Sequence, residues 1–219
     1  MRSGNHRIRR IIPAYDVPLV RAYSRVRFSI LRQRFLDELG QYLPEKGEIL
    51  DVGCGFGLFS LYYALENPQR RLFGVDLSSR RIQMARKAAQ LLGVDNVEYS
   101  VGDAASWRPE SSYDAIYLID LMHHLPRDSV RGLVSALRRS LRPGGRLIVK
   151  DVDSQPAWKR WFTWGLDKLM APRTPVDYWS QDDVLAFLRG LGFRVHRHAM
   201  VDFLPYPHVI YICSLEDAG

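Results

Sequence analysis

The chain has 219 residues, 47% of them hydrophobic, and its 31 basic and 24 acidic residues give a formal charge of +7. A chain of this length buries roughly 70% of its unfolded surface, so one ordinary domain forms without a disulfide or metal staple. Two cysteines, Cys54 and Cys213, make neither a disulfide framework nor a zinc site and suit a reducing cytoplasm, while no apolar run reaches membrane-spanning length.

The charge is concentrated at the start. Residues 1–34 hold nine arginines and one acid, Asp16, for a net of +8, whereas the remainder nets −1. A solvated basic face, a surface for an anionic substrate or lipid headgroups, and a nucleic-acid patch are the competing readings. The Arg-rich, acid-poor start also resembles an organelle transit peptide, although it has no cleavage site and lacks the apolar core of a secretory signal.

Residues 1–17 read as an irregular basic arm ended by Pro18. Between Leu19 and Leu43, Phe28, Leu31, Phe35, Leu39 and Tyr42 recur every three or four positions, which predicts one amphipathic helix stopped before Pro44. Strand patterns follow at 48–52, 71–76, 97–101, 113–119 and 145–151, separated by helical patterns at 57–66, 78–92 and 127–141. Short apolar strands alternating with helices predict a mostly parallel sheet with helices on both faces. Residues 193–203 and 206–214 break the alternation. They are joined across Leu204-Pro205 with no room for a crossover helix, so they must pair antiparallel.

In an open α/β sheet, ligands bind beyond the carboxyl ends of the strands. Those ends collect Asp51 to Gly57, Asp76-Leu77-Ser78, Gly102-Asp103-Ala104, Asp120 to His124, and Lys150-Asp151-Val152-Asp153. In Ile49-Leu50-Asp51-Val52-Gly53-Cys54-Gly55-Phe56-Gly57, alternating glycines let backbone approach a ligand closely, and a helix N-terminus follows. Asp76, about 20 residues on, suits a ribose diol because a carboxylate accepts both hydroxyl hydrogens. Its bland alternative is a helix cap, a task that Ser78 or Ser79 can take instead.

At these residues the chain resembles the class I S-adenosylmethionine-dependent methyltransferases, over roughly residues 45–214. The matching pieces are Leu50 to Gly57, Gly74-Val75-Asp76-Leu77-Ser78, Gly102-Asp103-Ala104, and Leu141-Arg142-Pro143-Gly144-Gly145-Arg146-Leu147. The resemblance implies a Rossmann-like sheet with an antiparallel C-terminal hairpin strand and S-adenosylmethionine as cofactor. It further implies Asp76 on the ribose, Asp103 on the adenine amine, and Gly53, Cys54, Gly55 and Gly57 beside the methionine portion. Asp51 is placed to engage the amino group. Leu77, Gly102, Ala104, Asp120 and Leu121 complete the expected cofactor contacts. A dinucleotide-binding Rossmann enzyme is the runner-up, but its fingerprint needs glycine or alanine where this chain has Leu58.

Residues 1–44 are expected to form a basic arm and amphipathic helix capping a methyltransferase domain at 45–219, with a Trp-rich lid inserted at 154–179. Methyl transfer from a sulfonium is an in-line displacement that depends mainly on alignment. Where the acceptor must lose a proton, His124 and His123 are the candidate bases, His124 preferred; the alternative is that one of them packs against the loop or caps the next helix. A metal site is not expected, because adjacent histidines point apart and no third ligand is evident.

Nucleic acid is disfavoured as acceptor: the chain has no Pro-Pro and no Pro-Cys, and Asp120-Leu121-Met122-His123 stands where base-amine enzymes carry prolines. A small-molecule or lipid-like acceptor is expected instead. Residues 157–170 carry three of the five tryptophans, with Trp158, Trp161, Phe162, Gly165 and Leu169 on one helical face. That face fits a packed lid, an apolar acceptor wall or a membrane-interface helix. Peripheral membrane contact therefore stands beside a cytoplasmic location, and the sequence sets no oligomeric state. Tyr15, Tyr23, Arg25, Tyr178 and Trp179 lie in segments that close over donor and acceptor in similar enzymes. The alternative function is a non-catalytic binding or scaffold protein on the same fold, holding a membrane or nucleic-acid partner by its basic arm.

Overall fold

A computed structural model describes residues 3–152, 177, 179–199 and 208–215. The chain divides into two compact units, Met1–Ala104 with Tyr113–Ala115 and Ala105–Ser112 with Ile116–Gly219.

The first unit contains strands β1 (Gly47–Val52), β2 (Arg70–Asp76) and β3 (Val97–Val101). All three are parallel, with Ile49 opposite Leu72 and Gly74 opposite Tyr99. Parallel strands need long crossovers, and α4 (Leu58–Glu66) and α5 (Ser79–Leu92) provide them. Seven of the nine residues of α4 are buried, Leu58 to Ala64 without a break. That explains its weak amphipathicity: a helix enclosed all round has no polar stripe. The helix α5 is punctuated as its sequence predicts, with Ser78 accepting from the Arg81 N–H at its start and Gly93 left-handed at its end.

The N-terminal segment departs from expectation twice. Residues Ser3–Ile11 are a helix (α1) and Ile12–Ala14 a 3-10 turn, where an irregular arm was expected. Nine residues are too few to hold a helix alone. Here Arg7 donates to the Tyr62 hydroxyl and to Glu66, and its guanidinium lies 4.6 Å from the Tyr62 ring, so α4 supports α1. The expected single helix over 19–43 is two, α2 (Pro18–Ile30) and α3 (Gln33–Gly40), parted by non-helical Leu31 and Arg32. Phe28 packs edge-on against Phe59, whereas the Tyr63 hydroxyl donates to the Leu36 carbonyl. Both halves thus dock on α4, and the bend lets Leu31, Phe35, Leu36 and Leu39 bury almost completely.

The second unit contains α6 (Arg127–Arg139), β5 (Leu141–Val152), α7 (Gln181–Gly190), β6 (Phe193–Ala199) and β7 (His208–Leu215). The strand β7 is antiparallel to both neighbours, with Ile148 opposite Ile212 and Val195 opposite Cys213. The expected C-terminal hairpin is therefore present, although residues 200–207 lie outside the described ones. Its core is Val130, Leu133, Val134, Leu137, Leu147 to Val149, Leu188 and Ile210, all nearly inaccessible. The strand β4 (Tyr113–Ile119) runs from the first unit into the second, and the seven strands follow the order β3-β2-β1-β4-β5-β7-β6. This is the mostly parallel, Rossmann-like class that the sequence predicts.

Candidate active site

Three glycines in the turn after β1 are left-handed: Gly53 (φ 77°), Gly55 (φ 57°) and Gly57 (φ 75°). The turn is tied down by backbone. Gly53 and Cys54 N–H groups both donate to the Val75 carbonyl, and Gly57 N–H to the Cys54 carbonyl. Asp76 completes the hold: one carboxylate oxygen accepts from Gly55 N–H (2.9 Å) and the other from Ser78 N–H (2.9 Å). Ser78 takes the helix cap, as expected, but Asp76 is not thereby released. It fixes two turns at once and keeps further acceptor capacity, since a carboxylate offers about four lone-pair positions.

Under the turn lies Tyr99, 6% exposed. Its hydroxyl bonds to Ser60 Oγ (3.1 Å) and approaches the Gly57 carbonyl, and it occupies the space where a Cβ on Gly57 or Gly74 would stand. Sequence reasoning missed this residue. Its signal was the two-residue period of β3, which turns Val97 and Tyr99 inward, beside a strand carrying glycine at the matching position. Above the turn, Phe56 is gripped by the N-terminal segment. The Tyr15 hydroxyl donates to the Phe56 carbonyl (2.7 Å), Tyr15 and Tyr23 rings pack on the Phe56 ring, and Arg81 lies 5.6 Å from it.

The remaining first-unit candidates cluster at the same strand ends. Asp51 and Asp76 are buried, Leu77 is 68% exposed, and Gly102 N–H donates to the Asp76 carbonyl, bringing Gly102, exposed Asp103 and buried Ala104 to the end of β2. Burial, then the charges of Asp51 and Asp76, push the Cys54 thiol well above its usual pKa, so it is no nucleophile.

In the second unit, the turn after β4 carries a buried charge network. Asp120 has φ 54°, the sole positive φ of a non-glycine among the described residues. Its N–H donates to the Lys150 carbonyl, and the fully buried Lys150 ammonium bonds its carboxylate. His123 pairs through Nδ1 with Asp151, which also accepts from the His123 N–H (3.2 Å). His123 is 2% exposed; His124 is half-buried, its ring 4.1 Å from that of His123, and Leu121 is half-buried beside them. Sequence reasoning placed Lys150 and Asp151 at a strand end but did not pair them, because partners 28 and 30 residues away are invisible to local pattern.

Trp179 is buried against Phe187 beneath the Arg127 guanidinium, and Arg25 is exposed on α2. Tyr178 and the expected lid residues 154–176, including Trp158, Trp161, Phe162, Gly165 and Leu169, lie outside the described residues. Among the described residues no three His, Cys, Asp or Glu side chains group as a metal site.

A methionine-nucleotide fits the first-unit turn. At Gly55 nothing stands within 4 Å of where a Cβ would be, so left-handed backbone borders open space. Two carboxylates beside that space suit a ligand bearing a sulfonium and an ammonium, and exposed Leu77 offers an apolar surface to a base.

Comparison with known proteins agrees. The methyltransferase-domain family matches residues 49–145. The fatty-acid O-methyltransferase of Mycolicibacterium smegmatis is 30% identical over 152 residues, 68% of this chain and 53% of that protein. The trans-aconitate 2-methyltransferase of an Azoarcus species is 32% identical over 108 residues, 49% of this chain and 40% of that protein. The chain thus spans about half the length of the curated relatives it matches. Among solved structures, the YcgJ protein of Bacillus subtilis superposes with a TM-score of 0.67 at 19% identity, covering 84% of this chain and all of that one. An O-methyltransferase family protein of Burkholderia thailandensis gives 0.70 at 17% identity, over 88% and 58%. These two show the fold. The chain belongs to the class I S-adenosylmethionine-dependent methyltransferases, and S-adenosylmethionine is the cofactor of that class.

Proposed function

We propose that this chain transfers the methyl group of S-adenosylmethionine to an oxygen of a small-molecule or lipid-like acceptor. The observation that carries the reading is the glycine turn, whose Gly55 backbone faces open space while its N–H donates to the Asp76 carboxylate. Several relatives point to oxygen by name: a fatty-acid O-methyltransferase, a 27-O-demethylrifamycin SV methyltransferase and a ubiquinone biosynthesis O-methyltransferase.

When bound, the donor supplies a methyl already activated by its sulfonium. The protein's share is alignment, a contribution of about 7–11 kcal/mol in well-oriented reactions. Asp51, Gly53, Cys54, Gly55 and Gly57 hold the methionine end; Asp76, Leu77, Gly102, Asp103 and Ala104 hold the nucleoside. Asp120 and Leu121 shape the turn after β4. Residues 1–44 act as a cap, through Tyr15 and Tyr23 on Phe56. His124 takes the acceptor proton, being the more accessible of the two histidines, while Asp151 anchors His123 and His123 packs against the His124 ring.

S-adenosylhomocysteine should raise the melting temperature, and Asp76→Ala should abolish the shift; no shift with the unchanged protein at saturating ligand would overturn the donor site. His124→Ala should lower kcat about 100-fold with little change in donor KM. Methyl-labelled donor incubated with host extract should yield a labelled product; donor binding without any product would favour a scaffold.

A further inference from the structure

Among the described residues, part of the surface of helix α2 is exposed. It has 13 residues, three of them arginines and none acidic, and buries Val20, Ser24 and Phe28. Its opposite side exposes Leu19 (78%), Ala22, Arg25, Val26 (47%) and Ser29. At helical pitch Leu19, Ala22 and Val26 fall within about 60° of one another, forming an apolar strip. Exposed Arg25 lines one border of it, and one turn back half-buried Arg21 donates to the Asp16 carbonyl (3.4 Å); neither arginine forms an ion pair among the described residues. Upstream, the last turn of α1 adds exposed Arg9 and Arg10.

We propose that this face of α2 docks on an anionic lipid bilayer, with Leu19, Ala22 and Val26 entering the headgroup boundary and Arg21 and Arg25 bonding lipid phosphates. The pairing of features selects the partner. Nucleic acid would match the arginines but leave Leu19 and Val26 in water, and an apolar protein groove would leave the arginines without counter-charge. A bilayer interface satisfies both, because arginine stems lie along apolar surface while their heads reach phosphate. The net of +8 in residues 1–34 adds attraction to a negative surface. The strip adjoins Tyr23, which packs on Phe56 of the donor turn, but Leu19, Ala22 and Val26 are themselves exposed.

The test is co-sedimentation of the full chain with phosphatidylglycerol–phosphatidylcholine vesicles and with pure phosphatidylcholine vesicles. Binding is expected only to the first, weakening as salt rises. Each of Arg21→Gln and Arg25→Gln should weaken it about five-fold, and Leu19→Glu/Val26→Glu should weaken it at least about ten-fold. That double variant should keep the thermal shift with S-adenosylhomocysteine, which separates a lost docking face from a misfolded protein or a failed donor assignment. A probe on Ala22→Cys should shift to the blue on anionic vesicles, both native thiols being buried. Equal binding to both vesicle types, unchanged binding of Leu19→Glu/Val26→Glu, capture by duplex RNA without vesicle binding, or a dimer that the double variant dissociates would each overturn the proposal.

Discussion

Gly55 and Gly57 share a left-handed backbone but not a neighbourhood. A Cβ at Gly57 would collide with the Tyr99 hydroxyl, which sits in a bonded, buried position and has no room to retreat. A Cβ at Gly55 meets nothing. Gly55→Ala is therefore expected to cost about 1–2 kcal/mol for the backbone alone and to lose the thermal shift with S-adenosylhomocysteine. Gly57→Ala should cost distinctly more by urea titration, since overpacking adds to the backbone term. Tyr99→Phe isolates the support beneath the turn. It removes a bond to Ser60 worth about 1 kcal/mol, and it should relieve only part of the Gly57→Ala clash, because the ring carbon bearing the hydroxyl also lies 2.7 Å from that Cβ.

At the scale of elements, the decisive feature is how the ends of β4 and β5 are joined. Asp120 adopts a backbone conformation that L-residues rarely use, and Lys150 secures it twice, by its carbonyl and by its ammonium. Buried ion pairs seldom add much stability, but removing one member leaves the other charge stranded. Lys150→Met should therefore destabilise the protein by about 3–5 kcal/mol in urea. Adding Asp120→Asn should recover part of that loss, and a double-mutant cycle that is simply additive would refute the coupling. The α2–α3 bend teaches a related lesson. Phe28, Leu31, Phe35 and Leu39 keep helical period across the break, so periodicity predicts one helix. Two separate docking sites on α4 made two helices preferable.

For the molecule as a whole, burial sets the response to alkali. The Cys213 thiol is pushed from 9.0 up to about 12, and Cys54 and Tyr99 are raised well above their usual values, burial being the first cause in each. Folded pKa values above the unfolded ones give a stability that is complete below pH 9 and lost as pH rises from 9 through about 12. Urea midpoints should accordingly hold steady up to pH 9 and fall beyond it, and a thiol reagent below pH 9 should modify Cys54 and Cys213 only at the rate of unfolding. Rapid labelling of either in the native protein would contradict their burial.

The alternation of apolar runs with helical patterns determined the parallel sheet, and the absence of a crossover between the last two strands determined the antiparallel ending. Both are local: period and loop length are written in consecutive residues. Glycines at 53, 55 and 57 likewise announced a turn that side chains would obstruct. Tertiary structure alone decided what surrounds that turn. Tyr99 beneath it, Tyr15 clasping Phe56, Lys150 on Asp120 and Asp151 on His123 join residues 28 to 42 positions apart. Such pairings depend on which strands become neighbours and on how deeply their side chains are buried, and neither is encoded in the spacing of any one segment.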